Sequence, residues 1–386
     1  MTAARDTLDL LEHNARAALE RFALDALREQ DLHTLVDRYF GTDGPRFMSV
    51  GDAAVPHGRF TAMALHAAVL RVQNRYAAHG AQRLKIVLNG DTRQPKAYAI
   101  FLPQGQADWI VLNLEMLTIL ERRAARLAVL LQARCAAAPV VHALQRPPGH
   151  SQFASALHAI AYLAALQFTV MHEAGHHFDG HAGFGAWGTP PGAQTPAESM
   201  QKQALEVGAD VFAIDALADS VAGFAMERRL PDAGALTADD LLPLAAICLT
   251  ATAFLPFKEK TPRAMDDTRR THPADAFRVL GLALKASDRL CSLFPAMDEE
   301  SRADIALRAL ALALSADATA HGALTADSQD ELAPLQHNGV LDLLARDEVK
   351  THFHALHSRY VQLRATLAGH ARDPGAMKMR TPHADA

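Results

Sequence analysis

A long apolar segment, ALHAIAYLAALQFTVM, constrains the fold of this chain more than any other feature. It belongs to a stretch from about Ser155 to Phe178 that is apolar on nearly every side. We predict a helix that other helices bury. Asp179-Gly180 follows, and the glycine is suited to the left-handed conformation that ends many helices. A chain built around such a helix needs further apolar elements to cover it.

Composition and local pattern together indicate the fold class. Alanine and leucine dominate, aromatic residues make up only 6% of the chain, and strong helix formers therefore prevail. From Arg83 onwards the pattern changes to three short runs rich in strand-forming residues, RLKIVLNGD, KAYAIFLPQ and DWIVLNLEM. Turn residues separate these runs. We predict an α+β fold, mainly α with a small antiparallel β-sheet.

The same patterns divide the chain into regions. We predict an N-terminal helical region at residues 1–82 and a core at residues 83–285. A C-terminal helical region at residues 286–370 and a disordered tail at residues 371–386 are predicted to follow. Thr195-Pro196-Ala197-Glu198 predicts a helix start, because a capping threonine precedes proline and is followed three residues later by glutamate. Thr237 to Asp240 repeats a capping signal.

Charge and cysteine content narrow the possible functions. The formal net charge is −5 and there is no long basic block, so no nucleic-acid partner is predicted. Three cysteines, Cys135, Cys248 and Cys291, lie far apart and predict no disulfide framework. Since no signal segment is recognisable, we expect a cytoplasmic protein. The uncharged segment from Leu241 to Phe257 is shorter than the ~20 residues of a membrane span and predicts a buried helix.

Polar residues cluster near the end of the apolar helix, in VMHEAGHHFDGH at residues 170–181. His172 and His176 are four positions apart and share a helix face, so both imidazoles can reach one metal ion. Glu173 is turned about 100° from His172, where its carboxylate can hydrogen-bond a water molecule in the open position of the metal. Buried polar groups are costly without partners. We therefore predict about one zinc ion per chain, with Glu173 as the catalytic base.

A catalytic zinc ion needs a third protein ligand. His177 follows His176 directly and points off the shared face, and His181 lies beyond the predicted helix end; both stay open as alternatives. Glu206 is the better candidate, because it lies in the apolar stretch ALEVGADVFAID with Asp210 four residues later. Asp210 is placed to accept the N–H of a ligand histidine.

The HExxH motif followed on a second helix by ExxxD resembles the gluzincin family of zinc metallopeptidases. Two flanking stretches, KAYAIFLPQGQADWIVLNLEML and TRRTHPADAFRV, are similar to the CaaX-endopeptidase and HtpX-like branch. The HHFDGH ending also resembles the phage-exclusion peptidases of bacteria, which cleave a translation factor. The chain departs from the CaaX-type pattern in lacking clear membrane spans. The resemblance covers about residues 83–282 and implies a zincin-like metallopeptidase core with helical extensions.

The resemblance also implies roles for individual residues. By position, it implies that His172, His176 and Glu206 are the zinc ligands and that Glu173 is the base. It implies that His272 donates a hydrogen bond to the transition state or substrate, and that Arg278 orients the carboxylates around Asp210. For the turn that contains His272, a helix-capping role is the alternative.

We therefore expect a zinc-dependent endopeptidase that acts on a protein or peptide substrate. Glu173 would activate a water molecule bound by the zinc ion. The substrate is expected to add to the sheet along an edge strand at Trp109, Val111 and Asn113. Two other classes stay open, a regulatory metalloprotein of low activity that binds a partner and a membrane-associated processing peptidase. The sequence predicts no oligomeric state.

Overall fold

A computed structural model describes residues 47–48, parts of 57–68, 83–90, 97–100, 107–145, 153–181, 194–229, 236–251, 273, 275–294, 297–318 and 345–368. Its strands are β1 (Phe47–Met48), β2 (Arg83–Asn89), β3 (Ala97–Ile100) and β4 (Ala107–Asn113). Its helices are α1 (Leu114–Arg134), α2 (Pro139–Leu144), α3 (Ala156–Phe178), α4 (Pro196–Arg229), α5 (Ala238–Cys248), α6 (Asp275–Cys291), α7 (Glu299–Ala318) and α8 (Asp347–Leu367). The described part of the chain is mainly helical with one small sheet, as predicted.

The sheet is mixed, with the strand order β1-β2-β4-β3. The outer pairs, β1 with β2 and β3 with β4, are antiparallel. The central pair, β2 with β4, is parallel, and Ile86 lies opposite Ile110. The prediction of an antiparallel sheet is therefore wrong at its centre. Consecutive residues such as Val87 and Leu88 are buried in β2, which is typical of strands covered on both faces in a parallel arrangement.

The predicted substrate strand corresponds to β4, and its placement at a sheet edge is wrong. β4 is paired on both sides, by β2 and by β3, so the sheet itself occupies its backbone groups. Trp109, Val111 and Asn113 are all buried. The Asn113 side chain accepts a hydrogen bond from the side chain of Asn89 at 3.0 Å. Of the strands next to β4, β3 is the one that lies at an edge of the described sheet, and it contacts α3.

The apolar helix predicted from the sequence is α3. The Ser155 side chain accepts a hydrogen bond from the His158 backbone N–H at 3.1 Å and so caps the first turn. The helix is buried along nearly its whole length and packs against α1 and α4. Gly180 has a φ of 75°, which confirms the left-handed conformation predicted at its end.

Helix α4 begins at Pro196, where the sequence predicted a cap. The Glu198 carboxylate accepts from the Thr195 backbone N–H at 2.7 Å, and the Glu198 N–H donates to the Thr195 hydroxyl at 3.2 Å. The helix crosses α3 closely at Gly175, where an added Cβ would lie 3.2 Å from the Cα of Ala209. This crossing brings the polar end of α3 against the middle of α4.

Helices from the C-terminal third cover the other side of α4. A cluster of apolar side chains joins α8 to α4 and α6; it contains Ala204, Leu205, Phe277, Leu356, Tyr360, Leu363 and Leu367. α6 extends across residue 285, where the sequence placed a boundary. The segment of α4 around residue 206 is thereby enclosed between α3 on one side and α6 and α8 on the others.

Several predictions fall at the limits of the described residues. The Asp240 carboxylate accepts from the Thr237 N–H at 2.7 Å, which confirms the predicted cap of α5. α5 contains the first part of the uncharged segment 241–257, and residues 252–272 lie outside the description. Among the helices that the structure describes, none has the length and apolar character needed to cross a membrane. Most of residues 1–82 and all of 371–386 also lie outside it.

Candidate metal centre

The crossing of α3 and α4 brings His172, His176 and Glu206 together. The Nε2 atoms of the two histidines are 3.3 Å apart. Glu206 Oε2 is 3.3 Å from His172 Nε2, and Glu206 Oε1 is 3.6 Å from His176 Nε2. Ligand atoms arranged tetrahedrally at bond lengths of about 2.0–2.1 Å would lie roughly 3.3 Å apart. All three side chains are buried, and they form a group that could hold a metal ion.

Asp210 lies one helical turn after Glu206 and orients His172. Its Oδ1 is 2.8 Å from His172 Nδ1, so this ring nitrogen faces the carboxylate and Nε2 faces the ligand group. Arg278 on α6 donates two hydrogen bonds to Asp210, Nε to Oδ2 and Nη2 to Oδ1, each 2.7 Å long. Burial alone would raise the pKa of Asp210, but Arg278 and His172 outweigh it and lower that pKa.

His172 is held between two carboxylates, and this determines the charge of the site. Burial alone would lower the pKa of His172. The carboxylates of Asp210 and Glu206 together outweigh burial and raise the pKa to about 10. The site therefore favours a positive charge at this position, supplied either by a proton on the imidazole or by a metal ion bound to it.

His181 lies behind His176, outside the ligand group. The Nδ1 atoms of the two rings are 2.8 Å apart, so His181 contacts the nitrogen of His176 that does not face Glu206. His181 is completely buried. Burial, reinforced by the neighbouring histidines, keeps the pKa of His176 well below its ordinary value despite Glu206. A neutral imidazole is the form that can bind a metal.

His177, the other alternative ligand, joins α3 to the sheet. Its Nε2 is 2.9 Å from the backbone carbonyl oxygen of Trp109, and its Nδ1 is 3.5 Å from Oδ1 of Asp108. Both ring nitrogens therefore face the start of β4. His177 fixes the position of the helix that carries the ligand group, and it is not part of that group.

Glu173 is a partly buried carboxylate next to His172 on α3. The backbone N–H of Ala99 in β3 faces this carboxylate and favours its charged form. Burial, with a contribution from Glu206, raises the pKa of Glu173 to about 7, although His172, Ala99 and Arg278 act in the opposite direction. A carboxyl group with this pKa can both accept and return a proton near neutral pH.

Two further histidines, His272 and His181, were candidates from the sequence. His272 lies outside the described residues, and its role stays a prediction. The contact between His181 and His176 was not predicted, because the sequence placed His181 beyond the helix end. The left-handed Gly180 turns the chain back so that His181 reaches the ring of His176. A glycine between two histidines at the end of a helix is the sequence signal from which this contact could have been predicted.

The site joins a group that could hold a metal ion to two further carboxylates. Catalytic metal sites commonly use three protein ligands and keep a further position open. Here a carboxylate outside the ligand group lies beside it, and a second carboxylate orients one of the ligand imidazoles. No protein-family model, curated protein or solved structure matches this chain, so the site is described by its own residues and their geometry.

Proposed function

We propose that this chain is a zinc-dependent endopeptidase of the gluzincin type, with a zincin-like core that hydrolyses peptide bonds of a protein or peptide substrate. The observation that carries the proposal is the convergence of two imidazole nitrogens and one carboxylate, with separations of 3.3 to 3.6 Å, beside Glu173. Nitrogen and carboxylate ligands at such separations fit zinc. His172, His176 and Glu206 would hold the ion.

The residues around the ion have separate tasks in this proposal. A bound zinc ion supplies Lewis acidity, which polarises a carbonyl group and makes water acidic near neutral pH. Glu173 accepts the proton of the attacking water on its carboxylate and gives it to the amine nitrogen that leaves. The Ala99 N–H favours the charged form of that carboxylate. Asp210 holds His172 in the tautomer that presents Nε2, and Arg278 holds Asp210.

The position of β3 suggests how a substrate would lie. β3 is at an edge of the described sheet, and the Ala99 N–H on this strand contacts Glu173. An extended peptide that adds to the edge of a sheet forms backbone hydrogen bonds, which do not depend on its side chains. A peptide added at β3 would have its backbone next to the catalytic base. We therefore propose β3, in place of β4, as the substrate strand.

The proposal is tested by cleavage of fluorescein-labelled casein and of a diverse library of quenched fluorescent peptides. Wild-type protein should lose cleavage when 1,10-phenanthroline removes the zinc and regain it when zinc is added back. Glu173→Gln should keep the zinc ion and the fold, because Glu173 is outside the ligand group. Turnover should fall by ~10²–10⁴-fold, the usual contribution of a general base.

Glu300→Gln is a matched control, because Glu300 is exposed at the start of α7. It should cleave at the wild-type rate. If Glu173→Gln cleaves within a few-fold of wild type, the role of the base is contradicted. If the zinc-loaded wild-type chain cleaves neither casein nor any library peptide, the endopeptidase proposal itself is contradicted.

A further inference from the structure

A second group of metal-binding side chains lies away from the candidate catalytic site. It consists of His57, which lies between β1 and β2 in the chain, Glu121 on α1 and His158 in the first turn of α3. Nε2 of His57 is 3.0 Å from Oε1 of Glu121, and Nε2 of His158 is 3.2 Å from the same oxygen. We propose that these three side chains bind a second divalent transition-metal ion of the zinc class.

The second group is independent of the first. His158 and His172 lie fourteen positions apart on the same helix, α3. At about 1.5 Å of rise per residue they are separated by roughly 21 Å along the helix axis. One ion cannot be shared over that distance. Metal binding at the second site can therefore be tested without measuring peptidase activity.

The orientation of His158 favours a shared ion over a simple hydrogen bond. Its Nε2 is within hydrogen-bonding distance of Glu121, yet in the described part of the chain this buried nitrogen makes no hydrogen bond of acceptable geometry. Its Nδ1 is also buried and has no hydrogen-bond partner there. Buried polar atoms without partners cost free energy. An ion bound among the three side chains would use the lone pair of the His158 Nε2 atom.

The protonation state of His158 suits metal binding. Burial lowers the pKa of His158, and the nearby His57 acts in the same direction, although the Glu121 carboxylate opposes them. The imidazole is thus kept neutral, which is the form that donates a lone pair to a metal. Glu121 adds the anionic ligand that helps two neutral imidazoles to hold a dication.

Aromatic rings fix the orientation of both imidazoles. The Phe153 ring stacks on His57 with centroids 4.0 Å apart and meets His158 edge-on at 4.9 Å. Tyr162, whose hydroxyl is 2.9 Å from that of Thr61, lies beside them. Rings held in this way lose little further freedom when they bind an ion, so the ligand set is largely preorganised.

The backbone at His57 is also shaped for this position. His57 has a φ of 51°, a left-handed conformation that is uncommon in residues other than glycine. Its carbonyl oxygen accepts hydrogen bonds from the N–H groups of Phe60 and Thr61. The side chains of His57 and Glu121 are 16% and 24% exposed, so an ion can enter from solvent. An ion bound here would join the segment at residue 57 to α1 and α3.

The test is zinc content per chain, measured by mass spectrometry after zinc loading and desalting of the full-length protein. Wild type should carry about two zinc ions, and His176→Ala, which lacks a ligand of the first site, should keep about one. Glu121→Gln should also carry about one, and the double variant none. Cobalt(II) titration gives a second readout, because its visible absorption reports the ligand set.

His57→Asn removes a ligand while keeping a residue that tolerates the left-handed conformation, so it should lose the same ion without backbone rearrangement. The control His142→Ala removes an exposed histidine on α2 and should keep the wild-type zinc content. A folded His176→Ala chain that binds neither zinc nor cobalt overturns the second site. A wild-type chain whose single zinc ion is lost in Glu121→Gln but kept in His176→Ala and Glu206→Gln supports the second site and contradicts the proposed catalytic one.

Discussion

Two carboxylates on α4, four residues apart, have different partners. Glu206 faces the Nε2 atoms of both histidines in the ligand group. Asp210 faces the other nitrogen of His172 and accepts two hydrogen bonds from Arg278. The residue types are nearly equivalent, so position on the helix and neighbouring charge decide which of the two can bind an ion directly.

This difference predicts unequal effects on zinc binding. Glu206→Gln removes the anionic ligand and should abolish binding of zinc at the first site. Asp210→Asn leaves the ligand set intact but weakens the acceptor that orients His172, so zinc affinity should fall only ~10–100-fold. Competition for zinc between the protein and a chelating dye measures both. If Asp210→Asn loses more affinity than Glu206→Gln, the two roles are reversed.

Sequence periodicity was sufficient for pairs of residues within one helix. His172 with His176, and Glu206 with Asp210, each lie one turn apart, and helix geometry alone places each pair on one face. Contacts made through a turn or between distant elements were not predictable in this way. His181 reaches His176 only because of the positive φ at Gly180. The group of His57, Glu121 and His158 comes from a turn and two separate helices and has no spacing that periodicity can detect.

The distance between α3 and α4 is set by a residue within the HExxH motif. Gly175 lies where the helices cross, and an added Cβ would be 3.2 Å from the Cα of Ala209 and 3.4 Å from the Cβ of Phe212. Ala209 is the neighbour of Asp210. The lack of a side chain at Gly175 therefore lets α4 approach closely enough for Glu206 to meet the histidines.

Gly175→Ala should weaken zinc binding although it changes no ligand. The added methyl group must displace α4 by a few tenths of an ångström, and such overpacking typically costs ~1–3 kcal/mol. Gly223→Ala is the matched control on α4, because an added Cβ there has no neighbour within 4 Å. It should raise the free energy of unfolding by ~0.5–1 kcal/mol and leave zinc affinity unchanged. Equal zinc affinity in the two variants would show that the close crossing is unnecessary.

The arrangement of the strands was less predictable than that of the helices. The strand-forming runs were recognisable, and turn residues between them favoured successive hairpins. Pairing depends on which strands are covered on both faces, and that is decided by helices elsewhere in the chain. β2 and β4 pair in parallel at the centre, and β3 lies outside β4. The error about the substrate strand followed directly from this.

At the scale of the whole molecule, the candidate site depends on a helix from the far end of the chain. α8 was predictable as a helix, but the surface it covers was not, because periodicity does not specify a packing partner. Tyr360 on α8 lies against Gly208, between Glu206 and Asp210, and an added Cβ at Gly208 would clash with its ring. Its hydroxyl is 3.4 Å from Oδ2 of Asp179, at the end of α3. One side chain thus supports both helices that carry the ligand group.

Tyr360→Ala should therefore reduce both stability and zinc affinity. Removing a buried aromatic ring typically costs ~3–5 kcal/mol, and the cavity would leave α4 unsupported behind Glu206. Tyr360→Phe keeps the ring and removes the hydroxyl that contacts Asp179, so the cost should be about 1 kcal/mol, with zinc affinity retained. Val361→Ala, at a 42% exposed position next to it, controls for truncation on the same helix. Urea unfolding and zinc competition measure the two quantities. Loss of stability in Tyr360→Ala without loss of zinc affinity would mean that α3 and α6 alone position Glu206, and that α8 supports the fold but not the site.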